Sequence, residues 1–295
     1  MLSLSRLREA KRTYWANRTY LRRGHWESLS PALASVAGGP TVLFFPDAPH
    51  EAYLIRKLCA YGGIEATTDP QVPHDLGVFF ADRTFSSPPA SSPSTHALVD
   101  AAVVNARCTD ISKTTVQRLF AEVFGYALSV NPTTYQGAAV EKSIRNATHD
   151  GRVVSCPLST RHADKVYQKR IDNRVRDGTR LDYRTAVVGG DLPVVVCKYW
   201  RQDGDEMPGP VAHAHAAAPD TVFSRREIQS ILRFSARLGL DYGELDVLRD
   251  RQDGRIYIVD ANDTPIGPRE ELSDRDYHAV LDRMLSAFHR NFLSG

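Results

Sequence analysis

Cysteine is scarce and scattered: Cys59, Cys108, Cys156 and Cys197 are the only four in 295 residues. No two of them have CxxC spacing, so neither a zinc site nor a dithiol redox centre is indicated, and reduced thiols in a cytosol are the simplest state. No apolar run approaches the roughly 20 residues needed to span a bilayer. The first basic residues are not followed by an apolar core, so no secretory signal is read there, and a cytoplasmic location is expected. Excess charge of either sign is also missing. Lys and Arg number 37 and Asp and Glu 35, for a net charge of +2. That balance creates no global attraction for nucleic acid or acidic membranes. A GxSxG elbow and a Cys–His pair for nucleophilic catalysis are absent as well, as is any internal repeat.

The composition present is that of an ordinary globular protein, 42% hydrophobic and 24% charged, at a length that suits two or three packed subdomains. One local imbalance lies at Arg6–Arg23, where seven basic residues oppose Glu9 among Leu, Tyr and Trp. That pattern suits an amphipathic helix facing a partner or membrane, and equally a helix docked on its own domain with its charges in water.

Residues 41–46 (TVLFFP) read as a buried strand, 51–61 as a helix closed by Gly62-Gly63, and 76–81 (LGVFFA) as a second strand. This order predicts a small α/β domain. The Ser- and Pro-rich stretch 86–95 reads as a linker. A helix is expected after Ser112, ending at Gly125, then a hairpin formed by 137–142 and 152–156. Strands follow at 165–171, 183–188 and 192–199. The segment 203–219, with His213 and His215, reads as an exposed loop and is assigned a lid role near the acceptor. A helix is expected over 225–238, two strands at 243–248 and 255–260 around Asp253-Gly254, and a last helix from Asp274 to Phe292. The expected fold is mixed α+β and α/β. Its domains are residues 1–100, a first lobe over 101–164 and a second over 165–295.

The chemistry concentrates in residues 239–265. Asp246 falls on one strand, Asp260 and Asn262 on its neighbour. Residues two apart on a strand share a face. Three oxygen-bearing side chains on one face would suit magnesium, which takes one or two carboxylates and completes its shell with phosphate. The same residues also suit a second role, capping the turn that follows. Lys113 stands at a helix start, Lys142 at a strand end before the turn 146–151, and Lys198 on a strand. Each alone suits a solvated surface position as well as a phosphate contact.

Taken in order, the segments DISK (110–113), VEKSIRNATHDG (140–151), VYQKRIDN (166–173), DYRTAVVGG (182–190), VVVCKYWR (194–201), GELDVL (243–248) and YIVDANDTP (257–265) resemble the ATP-grasp superfamily over about 105–268. The motif order is similar to that of the ribosomal-protein-modifying, glutathione synthetase and D-alanine ligase types. The resemblance implies a small N-terminal α/β domain followed by a two-lobed ATP-grasp fold with antiparallel sheets. It further implies ATP with magnesium, or manganese in its place. Lys113, Lys142 and His149 would meet the phosphates. Gln168, Lys169, Arg170 and Ile171 would form the edge that reads adenine, with Asp172 or Asn173 at the ribose. Lys198 and Arg184 would stand near the transferred phosphate, and Asp246, Asp260 and Asn262 would hold the metal. The implied reaction joins a carboxylate to an amine, or to another nucleophile, through an acylphosphate. Substrates would be small molecules or peptides, and a homodimer is compatible with the pattern. A small-molecule kinase and a non-catalytic nucleotide-binding module are the alternatives. The loop after Lys142 departs from the family in lacking repeated glycines. The first residue of the DxN pair is Asp rather than the commoner Glu, and Glu244 stands where several ligases carry a basic residue.

Overall fold

The computed structural model describes residues 39–87, 103–148, 150–175, 178–202, 208–267 and 271–294. The basic segment 6–23, most of the Ser/Pro stretch and His149 lie outside the described residues.

Strand β1 (Thr41–Pro46) pairs in parallel with β2 (Glu65–Thr67) and β3 (Leu76–Phe80), and β4 (Val103–Val104) extends the sheet in the order β2-β1-β3-β4. Every residue of β3 is buried, as expected of a parallel strand covered on both faces. Helix α1 (Leu54–Gly62) crosses over from β1 to β2 and ends in a left-handed Gly63 cap (φ 63°).

Helix α2 (Lys113–Phe124) begins at an N-cap, Ser112, whose hydroxyl accepts from the Thr115 N–H at 3.3 Å. The expected hairpin is present as β5 (Gly137–Ser143) and β6 (Arg152–Cys156). Strand β7 (Lys165–Lys169) pairs with β5, completing a three-stranded sheet in the order β6-β5-β7.

The five-stranded antiparallel sheet has the order β10-β9-β8-β11-β12. It contains β8 (Arg180–Val188), β9 (Val195–Gln202), β10 (Pro208–Ala217), β11 (Tyr242–Arg249) and β12 (Ile256–Asn262). A four-residue helix, α3 (Pro219–Val222), leads into α4 (Arg225–Leu238), whose start carries a full capping box between Ser224 and Glu227. Helix α5 (Asp274–Phe288) runs into a π-helical turn, His289–Leu293.

The two faces of this sheet do different work. Leu181, Val187, Val195, Cys197, Leu245 and Val247 pack with α2 and α4 in one core. Ala186, Val188, Val194 and Ala214 face the other way, into a core shared with α1, α5 and the parallel sheet. Strand alternation therefore puts Asp182, Arg184, Glu244, Asp246 and Lys198 on this second face, beyond the apolar end. Burying two cores fixes which side chains are left to line the cleft.

Three expectations are corrected. The break between the two lobes falls after Lys169, because β7 hydrogen-bonds to β5 and not to the five-stranded sheet. The parallel sheet continues past residue 100 through β4. And 208–217 is an edge strand, not a loop. His213 and His215 are register partners of Tyr199 and Cys197, so they lie on the face away from Lys198. Both rings stack on Tyr199, at 4.1 and 5.7 Å. The alternation of Ala and His in VAHAHAA is a period-2 strand signal that its small, polar composition hides.

Candidate active site

Asp246 and Asp260 are direct register partners across β11 and β12, and Glu244 pairs with Asn262 in the same way. Opposed residues share a face, so all four point into the same cleft. A β-bulge lies immediately beyond, where Val247 pairs with Ile258 and leaves Val259 as the extra residue. Without it, Ile258 and Asp260 would face the same side. With it, Ile258 enters the core (0% exposed) while Asp260 turns to the cleft.

The cations arrive from three other elements. On the neighbouring strand, Arg184 is the register partner of Asp246. Its guanidinium lies 2.9 Å from Asp246 and 3.4 Å from Glu244. Asp246 above all holds Arg184 charged, against the cost of burial. Lys113, the first residue of α2, is buried, with Nζ 3.7 Å from Asp260 Oδ2. The same ammonium donates to Arg145 O at 3.0 Å and to Asn146 Oδ1 at 2.9 Å. The Asn146 amide donates in turn to Ala261 O and Ile111 O, joining the turn after β5 to β12.

Lys142 projects from β5 toward the same carboxylates and makes no ion pair among the described residues. Burial lowers its pKa and Lys113 acts the same way, while Asp260, Asp246 and Asp182 pull it back up. Burial likewise pushes Asp260 up, with Asp246 adding to the effect and Lys113 and Lys142 opposing it. Buried Glu244 is raised chiefly by desolvation. Asp182 is pushed up to about 6 by burial and by Asp246. Lys198 lies beside this group, buried, with Nζ 5.0 Å from the centre of the Trp200 ring. It lines a small adjoining pocket with Arg184 and Glu244.

The cleft has a volume of about 420 Å³ and is lined by residues of all three sheets or the loops leaving them. Its far wall comes from the parallel sheet and includes Tyr53, Asp82, Arg83 and Thr84. Sequence reading did not single out these residues. They lie at the carboxyl end of β3 and the start of α1, about 180 residues from the acidic strands in the chain, and carry no motif.

The interlobe segment is heavily bonded. Lys169 pairs with Asp250 at 2.7 Å and Asp253 at 2.9 Å. Asp172 is bound by Arg174 and accepts through its carbonyl from the Arg251 N–H. Asn173 donates to Leu181 O and Asp182 Oδ1. These bonds fasten Lys169–Asn173 to the five-stranded sheet. Gln168, by contrast, is buried with Nε2 unpartnered. Its register partner Val140 lies two residues from Lys142 on β5, so Gln168 lies on the face that Lys142 presents.

No protein-family model matches the chain, and no curated protein matches it in sequence. Solved structures do. The ATP-grasp ligase PsnB, solved with a phosphomimetic variant of its minimal precursor, Mg and ADP, is similar at a TM-score of 0.53. The match has 11% identity and covers 86% of this chain and 99% of that one.

This chain has the ATP-grasp fold.

The D-cycloserine synthetase DcsG is similar at a TM-score of 0.49 and 15% identity, over 86% of this chain and 100% of that one. A D-alanine–D-alanine ligase from Bacillus anthracis is similar at 0.49 and 9%, over 85% and 96%. In this ATP-grasp fold the donor set fits a hard divalent cation. Two opposed carboxylates, Asp246 and Asp260, stand on one face with the amide oxygen of Asn262, which also accepts from the Thr264 N–H at 2.9 Å. No cluster of three or more His, Cys, Asp or Glu side chains arranged for metal occurs among the described residues. A cation held here would therefore need ligands from a bound phosphate, as magnesium commonly does.

Proposed function

We propose that this chain is an ATP- and magnesium-dependent ligase that activates a carboxylate as an acylphosphate and couples it to an amine, releasing ADP and phosphate. One observation carries this reading. Lys113 and Lys142 come from two different elements of the first lobe and face a pair of opposed carboxylates from the second. A triphosphate needs positive charge from several sides and a metal between its oxygens, and such a cleft supplies both.

Asp246, Asp260 and Asn262 would hold the magnesium, which when bound neutralises phosphate charge and orients it. Lys142 has no ion pair among the described residues to surrender and would meet phosphate oxygens directly. Lys113 would exchange Asp260 or the Asn146 amide for phosphate. Arg184 and Lys198 stand at the end of the cleft nearest Glu244, where they would stabilise the phosphoryl group as the substrate carboxylate attacks it. No side-chain nucleophile is needed. The protein positions two substrates and neutralises charge. Gln168 to Ile171 would border the base, with Asp172 and Asn173 near the ribose.

The test is product analysis with Mg-ATP and a panel of amino acids and dipeptides, in the presence of hydroxylamine. A ligase forms hydroxamate with equal amounts of ADP and phosphate. A kinase leaves the phosphate stably on its acceptor and forms no hydroxamate, which would overturn this reading.

A further inference from the structure

Arg184 is held between two carboxylates that stand two residues apart on β11. Its Nε lies 2.9 Å from Asp246 Oδ1 and its Nη2 lies 3.2 Å from Oδ2, a fork that engages both oxygens of one acid. Its third nitrogen, Nη1, lies 3.4 Å from Glu244 Oε2. Charge-assisted bonds of this kind are ordinarily about 2.7–2.9 Å long, so the guanidinium has settled on Asp246 and only leans on Glu244. Yet Glu244 is the more deeply buried acid, its side chain 7% exposed against 33% for Asp246. A buried carboxylate is costly unless a cation closes on it, and the Arg184 bond to it is loose.

Asp246 is also assigned to magnesium, and its two roles conflict. A divalent ion on Asp246 takes at least one of the oxygens that the fork engages, and it sets a like charge beside the guanidinium. Arg184 must then turn to another acceptor. Asp260 is assigned to the same metal. Asp182, two residues away on β8 and within electrostatic reach, already accepts from the Asn173 amide at 2.7 Å. Glu244 is left. It lines both the cleft and the small side pocket, as Arg184 does, and Lys198 lines that pocket too. A guanidinium that turns to Glu244 therefore stays in the cleft, at the end assigned to the transferred phosphoryl group.

We propose that Glu244 is the positioning residue for Arg184: when metal binds Asp246, the guanidinium exchanges that carboxylate for Glu244. The exchange clears Asp246 for the metal and keeps the arginine's charge beside the reacting groups. The inference rests on the ligase reading above and adds to it a residue that acts through Arg184 and touches neither metal nor nucleotide.

The readout is the metal enhancement, the ratio of AMPPNP affinity with saturating Mn2+ to that in EDTA, measured by calorimetric titration on the full chain. Charges at fixed positions act additively on a metal. Through-space attraction alone therefore gives Glu244→Gln the same cost whether or not Arg184 is present. Exchange does not, because without Glu244 the guanidinium stays on Asp246 and opposes the metal. Glu244→Gln lowers the enhancement at least about threefold more in the wild-type background than in Arg184→Met. An equal cost in both backgrounds, or a greater one in Arg184→Met, overturns the proposal. A wild-type crystal structure with Mn2+ and AMPPNP gives a check that needs no variant to fold. There an Arg184 Nη lies within about 3.0 Å of Glu244, and the fork on Asp246 is open. A guanidinium still forked on Asp246, or turned to Asp182, overturns the proposal. Manganese away from Asp246, or failure to bind AMPPNP, removes the ligase reading itself, and this inference with it.

Discussion

Lys142→Met is expected to weaken nucleotide binding without weakening the fold. The methionine keeps most of the alkyl stem that packs against Gly151, whose added Cβ would sit 3.5 Å from Lys142 Cγ. What it removes is an ammonium that burial already disfavours and that has no ion pair among the described residues. A hydrogen bond to a charged group contributes about 1.5–3 kcal/mol, so Kd for Mg-AMPPNP should rise by roughly 10- to 150-fold. The melting temperature of the free protein should stay level or rise, because a desolvation cost that Asp260, Asp246 and Asp182 offset only in part is gone. Arg152→Met is the control on the same hairpin. Arg152 pairs with Glu141 at 2.7 Å on the opposite face of the sheet, and the Glu141 side chain is 4% exposed. Removing the arginine leaves the Glu141 carboxylate with its Tyr167 hydrogen bond but without its cation, so that variant should melt at a lower temperature yet bind nucleotide normally. Calorimetric titration and a thermal melt on both variants decide the matter. Equal effects on Kd would remove Lys142 from the phosphate site.

Other substitutions have defined outcomes. Asp260→Ala should abolish magnesium-dependent turnover with an unchanged circular dichroism spectrum; unchanged turnover would exclude Asp260 from the reaction. Asp182 is raised to about 6 in the folded state against an ordinary value of 3.8. The folded protein therefore keeps this proton to higher pH than the unfolded chain does, and stability falls as pH rises from about 4 through 6. Asp182→Asn should remove that decline, gaining about 3 kcal/mol at pH 7 and nothing below about pH 3 in urea melts. Gly243→Ala would put a Cβ 2.4 Å from Asn262 O. It should cost about 1–3 kcal/mol and weaken Mn2+ binding by displacing Asn262.

Much of this architecture is legible in the sequence because it is local. TVLFFP and LGVFFA are apolar runs with a helix between them, and Ser112, Ser224 and Gly239 mark helix ends by capping chemistry. The pairing of Asp246 with Asp260 follows from a short turn at Asp253-Gly254. Straight alternation, however, places Asp260 on the side of Ile258, and only the bulge at Val259 separates them. Nothing in the residues Ile256–Asp260 announces that bulge. Strand β2, three residues of mixed polarity, exists because β1 needs a neighbour. Strand β10 was hidden by its Ala and His composition. The apolar periodicity continues through Phe292, whereas α5 ends at Phe288 and His289–Leu293 form a π-helical turn. Asp82, Tyr53 and Thr264 are invisible to local reading. Their hydroxyl–carboxylate bonds join residues 29 and 182 positions apart; the first closes within the parallel-sheet unit, and the second only when that sheet packs against the end of β12.

The most direct measurement is a crystal structure with Mn2+ and AMPPNP, with anomalous data collected at the manganese edge. The account predicts an anomalous peak within coordinating distance of Asp246 and Asp260, and a triphosphate contacted by Lys113 and Lys142. Manganese elsewhere, or a nucleotide whose phosphates lie away from both lysines, would contradict it.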